Sequence, residues 1–84
     1  MVARFEDVVE AARKLVNQPL AFSLDRFIRI VEEYVEGLPE QLKESYVGYF
    51  SPTGSKVVKR RDLPRVLRED PDFRDRFIRM LASG

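Results

Sequence analysis

The chain contains no cysteine, no histidine and no tryptophan. Without cysteine there are no disulfide staples, no thiolate metal sites and no thiol nucleophile. Without histidine the commonest general base and the imidazole metal ligand are missing. Amides are scarce too: Asn17, Gln18 and Gln41 are the only ones. Charge is abundant, at 35% of residues, and arginine outnumbers lysine eleven to four. Many charges with few thermolabile amides match the composition of thermophile proteins. No apolar run approaches the ~20 residues of a membrane span. The opening Met1-Val2-Ala3-Arg4-Phe5-Glu6-Asp7 turns acidic too early for a signal peptide. The expectation is a soluble, cytoplasmic protein with no membrane contact, forming one domain over residues 1–84 that relies on good helices and packing.

What is present is mostly helical pattern. Phe5, Val8, Val9, Ala12, Leu15 and Val16 recur at helical spacing and predict a helix over 4–17, stopped by Asn17-Gln18-Pro19. Ser23 is the expected N-cap of a helix over 24–36, with Phe22 and Phe27 spaced as a hydrophobic staple. Phe27, Ile28, Val31, Tyr34 and Val35 form its stripe, and Ile30 widens it. Gly37 is expected at C′, with Leu38 as its apolar partner. Pro39 can open a short third helix reaching about Ser45, anchored by Leu42. Asp62 can cap a helix over 63–69, and Asp70-Pro71 starts a last helix over 71–82 with Phe73, Phe77, Ile78 and Leu81 inward.

Between these helices lies Tyr46-Val47-Gly48-Tyr49-Phe50-Ser51-Pro52-Thr53-Gly54-Ser55-Lys56-Val57-Val58-Lys59-Arg60-Arg61. Aromatic and β-branched residues flank a turn in which Pro52 suits the first central position and Gly54 a positive φ. The reading is a β-hairpin whose second strand runs into Lys56, Lys59, Arg60 and Arg61. The expected fold class is therefore α+β, mostly helical: two amphipathic helices, a short third, a hairpin, then two short C-terminal helices.

Charge is unevenly distributed. Residues 1–45 carry six Lys/Arg and nine Asp/Glu, and residues 46–84 carry nine and five. A polyanion would find its partner in the second half. Thr53, Ser55, Lys56, Lys59, Arg60 and Arg61, extended by Arg65 and Arg68, form the candidate nucleic-acid-binding set, Ser51 adding a hydroxyl at the turn. They would contact phosphate more than bases, double-stranded DNA above all. Against this stand two simpler roles for the same cations: edge-strand lysines that block aggregation, and ion pairs with Asp62, Glu69 or the acidic first half.

Catalytic patterns are poor. Ser55 beside Lys56 is adjacent in sequence only, and strand neighbours point to opposite faces. Asp70, Asp72 and Asp75 fit caps and helix-dipole contacts better than a calcium loop, which needs Gly at its sixth position and Glu at its twelfth. Gly48 and Gly54-Ser55-Lys56 miss the P-loop spacing by one residue. No enzyme activity, cofactor or metal is expected.

Two architectures give the hairpin a role. The order helix, helix, helix, hairpin fits a winged helix, although the segment Glu40-Gln41-Leu42-Lys43-Glu44-Ser45 would read a groove with two carboxylates. The second rests on Tyr49-Phe50-Ser51-Pro52-Thr53-Gly54-Ser55-Lys56 followed by Leu63-Pro64-Arg65-Val66-Leu67. This stretch resembles the hairpin-to-helix segment of methyl-CpG-binding domains, over about residues 48–67. The resemblance implies a hairpin-plus-helix wedge against DNA backbone. It does not carry methyl-CpG reading across, because Val58 stands where that family has a guanine-reading arginine. The alternative is a protein-interaction or homo-oligomerisation module using the helices at 4–17 and 24–36, where Ile30 and Tyr34 would leave surplus apolar surface.

Overall fold

Five helices and one hairpin follow in the expected order: α1 Phe5–Asn17, α2 Leu24–Glu36, α3 Glu40–Lys43, β1 Tyr46–Ser51, β2 Gly54–Lys59, a 3₁₀ turn Arg60–Asp62, α4 Leu63–Glu69 and α5 Pro71–Ser83. The structure, a computed structural model, describes residues 3–83. Met1, Val2 and Gly84 lie outside these residues, as does the side chain of Ser51. The class is α+β and mostly helical.

Local signals explain most boundaries. The Arg4 amide donates to the Asp7 carboxylate at 2.8 Å and sets the start of α1. Ser23 Oγ accepts from the Arg26 amide at 3.2 Å, and Phe22 and Phe27 are both buried around that cap. Asp70 Oδ1 accepts from the Phe73 amide at 3.0 Å and opens α5. These caps satisfy amides that would otherwise lack partners.

Three local expectations are corrected. Gly37 closes α2 at φ −78°, in the right-handed region, so no left-handed C′ residue is used there. Helix α3 is one turn of four residues with nothing buried, and Leu42 is 48% exposed rather than a core anchor. Asp62 gives α4 no side-chain cap, because the 3₁₀ turn runs directly into that helix. Its carboxylate instead meets Arg65 at 3.6 Å.

α1 packs on α2 and α5, α4 packs on α2 and α5, and the hairpin closes one side with β1 against α5 and β2 against α4. The centre is Phe27, Phe73, Phe77, Leu63, Leu67, Val8 and Val31, all fully buried. Phe73 links the layers: its ring lies 5.6 Å from Phe77, nearly parallel, and 5.6 Å from Tyr49 of β1, tilted. Such pairs add about 0.5–1.5 kcal/mol beyond area burial. On α1 the buried residues are Val8, Ala11 and Ala12, while Phe5 and Val16 of the expected stripe stay 40% and 49% exposed. Tyr34 is buried and Ile30 half-buried, so of the two residues expected to leave surplus apolar surface on α2 only Ile30 does.

Candidate interaction surface on the hairpin

The strands pair antiparallel, with Tyr46 opposite Lys59, Val47 opposite Val58, Gly48 opposite Val57, Tyr49 opposite Lys56, Phe50 opposite Ser55, and Ser51 opposite Gly54. Pro52 and Thr53 form the tip, and Gly54 takes φ +139°, which glycine alone adopts freely. Directly opposed residues share a face, and faces alternate along each strand. Val47, Tyr49, Lys56 and Val58 therefore face the helices. Tyr46, Gly48, Phe50, Ser55, Val57 and Lys59 face away.

Burial follows this division. Tyr49 is 8% exposed against Phe73, with the Arg76 guanidinium 5.7 Å from its ring. On the outer face Tyr46 is 62% exposed, Phe50 84% and Val57 52%. Gly48 lies between the two aromatics and across from Val57. A Cβ at Gly48 would stand 1.9 Å from the Lys56 carbonyl oxygen, so the strands approach closely at this point and no side chain fits.

The cations are held by carboxylates on several elements. Lys56 donates to Asp70 at 2.6 Å, which raises the lysine pKa and, together with the Phe73 amide, lowers that of Asp70. Asp70 thus caps α5 and ties the hairpin to it. Lys59 reaches Glu44 at 3.0 Å; this contact lowers the Glu44 pKa and raises that of Lys59. Arg61 meets Glu40 at 2.8 Å and Glu44 at 2.9 Å, and its hydrogen bond, with Lys43 beside it, lowers the Glu40 pKa. Arg65 pairs with Asp62 and Glu69, and Arg68 with Glu32 of α2. Thr53 and Ser55 are exposed at the tip.

Arg60 and Arg61 are not part of the second strand, since the backbone turns into the 3₁₀ segment after Lys59. Arg60 folds back instead. Its Nε donates to Tyr34 Oη at 3.2 Å, and its Nη1 donates to Ser45 Oγ and to the Tyr46 carbonyl at 3.2 Å. It joins α2 to the entry of β1. The eight residues read from the sequence are therefore not one cationic surface. Lys59 and Arg61 share a cluster with Glu40, Glu44 and Lys43, Lys56 belongs to α5's start, and Arg65 and Arg68 belong to α4.

The outer apolar face escaped the sequence reading. Its signal was that both alternating sets, Tyr46/Phe50/Val57 and Val47/Tyr49/Val58, are apolar. A two-stranded sheet packed on one side must leave one such set in solvent. A concavity of about 240 Å³ lies between α1 and α2, with Ala11, Phe22 and Ile30 among its lining residues and Asp7, Glu10, Lys14 and Glu33 around them. Among the described residues there is no cluster of three metal-ligating side chains, and no helix is long and apolar enough to cross a membrane. No protein-family model, curated protein or solved structure matches the chain.

Proposed function

We propose that this domain is a protein-interaction module that docks through the outer face of its hairpin. The carrying observation is the exposure of Tyr46, Phe50 and Val57 side by side on one face. Aromatics at the centre with charge at the rim is the anatomy of protein interfaces. The rim here is of mixed sign, Glu40 and Glu44 beside Lys59 and Arg61, which suits a protein surface better than a phosphate backbone. Burying the two aromatics removes roughly 300 Å² from water, about 7 kcal/mol at 25 cal/mol per Å². That is of the same order as the cost of association, about 4–15 kcal/mol, so the contact is reversible.

The test is a photoreactive phenylalanine analogue placed at position 50 in producing cells, with position 29 on the exposed side of α2 as reference. A discrete adduct at 50 and none at 29 is expected. No adduct at 50, or the same adducts at both positions, refutes the docking role.

A second reading, contact with the backbone of double-stranded DNA, is favoured by one observation. Lys56, Lys59 and Arg61 are about half exposed, with side-chain exposures of 50%, 44% and 48%. Exposed ion pairs are worth about 0–1 kcal/mol, so a phosphate can displace their carboxylates. The methyl-CpG-binding-like order of hairpin then helix supports it. The single-turn α3, which begins at Glu40 and is capped by Glu44, does not favour winged-helix groove reading. With Arg60 tied to Tyr34 and Ser45 and Lys56 on the α5 side, Lys59 and Arg61 remain together, and duplex affinity would fall with a log–log salt slope of about −1.8. Absence of duplex binding at low salt removes this reading.

A further inference from the structure

We infer that the partner on the hairpin's outer face is a second copy of this chain, docked antiparallel about a two-fold axis that crosses Gly48 and Val57. The inference rests on the docking role proposed above and names its occupant. The outer row of β1 reads Tyr46, Gly48, Phe50, large–small–large, and is symmetric about Gly48. Tyr46 and Phe50 stand at equal distances on either side, roughly 6–7 Å along the strand. Turning a copy over about an in-plane axis through Gly48 and Val57 sets Tyr46 over Phe50 of the partner subunit, and Phe50 over the partner's Tyr46. Val57 then meets the partner's Val57, and the gap left by Gly48 faces the partner's Gly48. Gly48 is already required within each chain by the nearby Lys56 carbonyl, so it is the symmetric spacing of the aromatics that points to self-pairing.

Charge supports this orientation. Among the described hairpin residues of the outer face the charge lies at one end, on Lys59, which meets Glu44, while the tip carries Pro52, Thr53 and Ser55, with Arg76 and Arg79 of α5 beside Phe50. The antiparallel arrangement lays Lys59 over the partner's Ser55 rather than over the partner's Lys59. The alternative parallel arrangement puts each aromatic over Lys59 or Ser55 of the partner strand and loses both ring pairs. Area sets the strength of the contact. Scaling the ordinary burial of aromatic and valine side chains by the observed exposures gives roughly 400 Å² of apolar surface per copy. Counting both copies that is roughly 800 Å² of apolar surface, below the ~1,200 Å² at which standard interfaces begin, which describes a weak, reversible dimer that forms only as concentration rises.

The test uses the purified full chain. Sedimentation velocity should show the mass rising from 9.8 kDa towards twice that value as concentration increases. Phe50→Glu should stay monomeric at every concentration and melt where the wild type melts when dilute and monomeric, because that side chain is outside the core. Since the chain has no cysteine, Val57→Cys gives a single thiol at the axis, and a short bismaleimide should link two copies at least ten-fold faster than for Arg29→Cys. A wild type that remains monomeric throughout, a dimer that survives Phe50→Glu, or equal cross-linking of the two cysteine variants overturns the inference. A position-50 photoadduct whose mass is not twice that of the chain would overturn self-pairing while leaving the docking role standing.

Discussion

Replacing Arg60 by alanine should destabilise the domain several times more than replacing Arg61, although the two are adjacent and both were candidates for phosphate contact. Arg60 makes three side-chain hydrogen bonds, to Tyr34 Oη, Ser45 Oγ and the Tyr46 carbonyl. Tyr34 is only 9% exposed, so truncation strips a donor from a mostly enclosed hydroxyl. Net contributions of about 0.5–1.5 kcal/mol per bond, discounted for the exposed Tyr46 contact, give about 2 kcal/mol. For a domain of this size that is roughly 8–16 °C in Tm. Arg61 pairs with Glu40 and Glu44 on the solvent-exposed surface, so its loss should cost clearly less than that of Arg60. Arg60→Lys should recover less than half of the Arg60→Ala loss, because an ammonium cannot reach three acceptors as a planar fork does. Thermal and urea denaturation followed by circular dichroism measure all three. An Arg61→Ala loss equal to or larger than that of Arg60→Ala refutes the assignment of Arg60 as a tie between α2 and β1.

Gly48→Ala should destabilise by about 1–3 kcal/mol, since its Cβ would collide with the Lys56 carbonyl 1.9 Å away; urea denaturation checks it, and a neutral result contradicts the close strand approach. Phe50→Ser should change stability by no more than about 0.5 kcal/mol, because the side chain is outside the core. Stability should be flat from about pH 6 to 9, as no histidine titrates there. Asp70, Glu40 and Glu44 have lowered pKa values, so their contribution is complete above the unfolded values of 3.8 and 4.5 and is lost as pH falls through the lower folded values. Lys56 and Lys59 are raised, so theirs is complete below 10.5 and lost as pH rises through the folded values. Asp70→Asn should weaken both limbs, because Lys56 loses its partner along with the carboxylate; Tm against pH reads this out.

Helix α2 was legible to the residue, because a Ser23 cap, an aromatic staple and an uninterrupted stripe all agree. The hairpin turn was legible for the same reason: Pro52 and Gly54 each suit the backbone their positions require. Helix α3 was not, because one turn has too few residues to show a period, and Leu42 carries no sign of which way it points. Arg60 and Arg61 look alike in sequence. Their difference depends on the chain leaving the strand after Lys59, and on Tyr34 being 26 residues away. The ion pairs of Lys59 and Arg61 with Glu40 and Glu44 likewise depend on α3 lying beside the 3₁₀ turn, a tertiary arrangement no local pattern encodes. Alternation showed two apolar hairpin faces without showing which one the helices cover.

Hydroxyl-radical footprinting inside producing cells, compared with dilute purified protein, measures the occupancy of the hairpin face most directly. Leu20, 103% exposed on the loop after α1, serves as the internal reference. The account predicts that Tyr46 and Phe50 react freely in dilute solution and lose most of that reactivity in cells, while Leu20 keeps its own. Equal labelling of both aromatics in the two settings, relative to Leu20, would contradict the claim that this face is a docking surface.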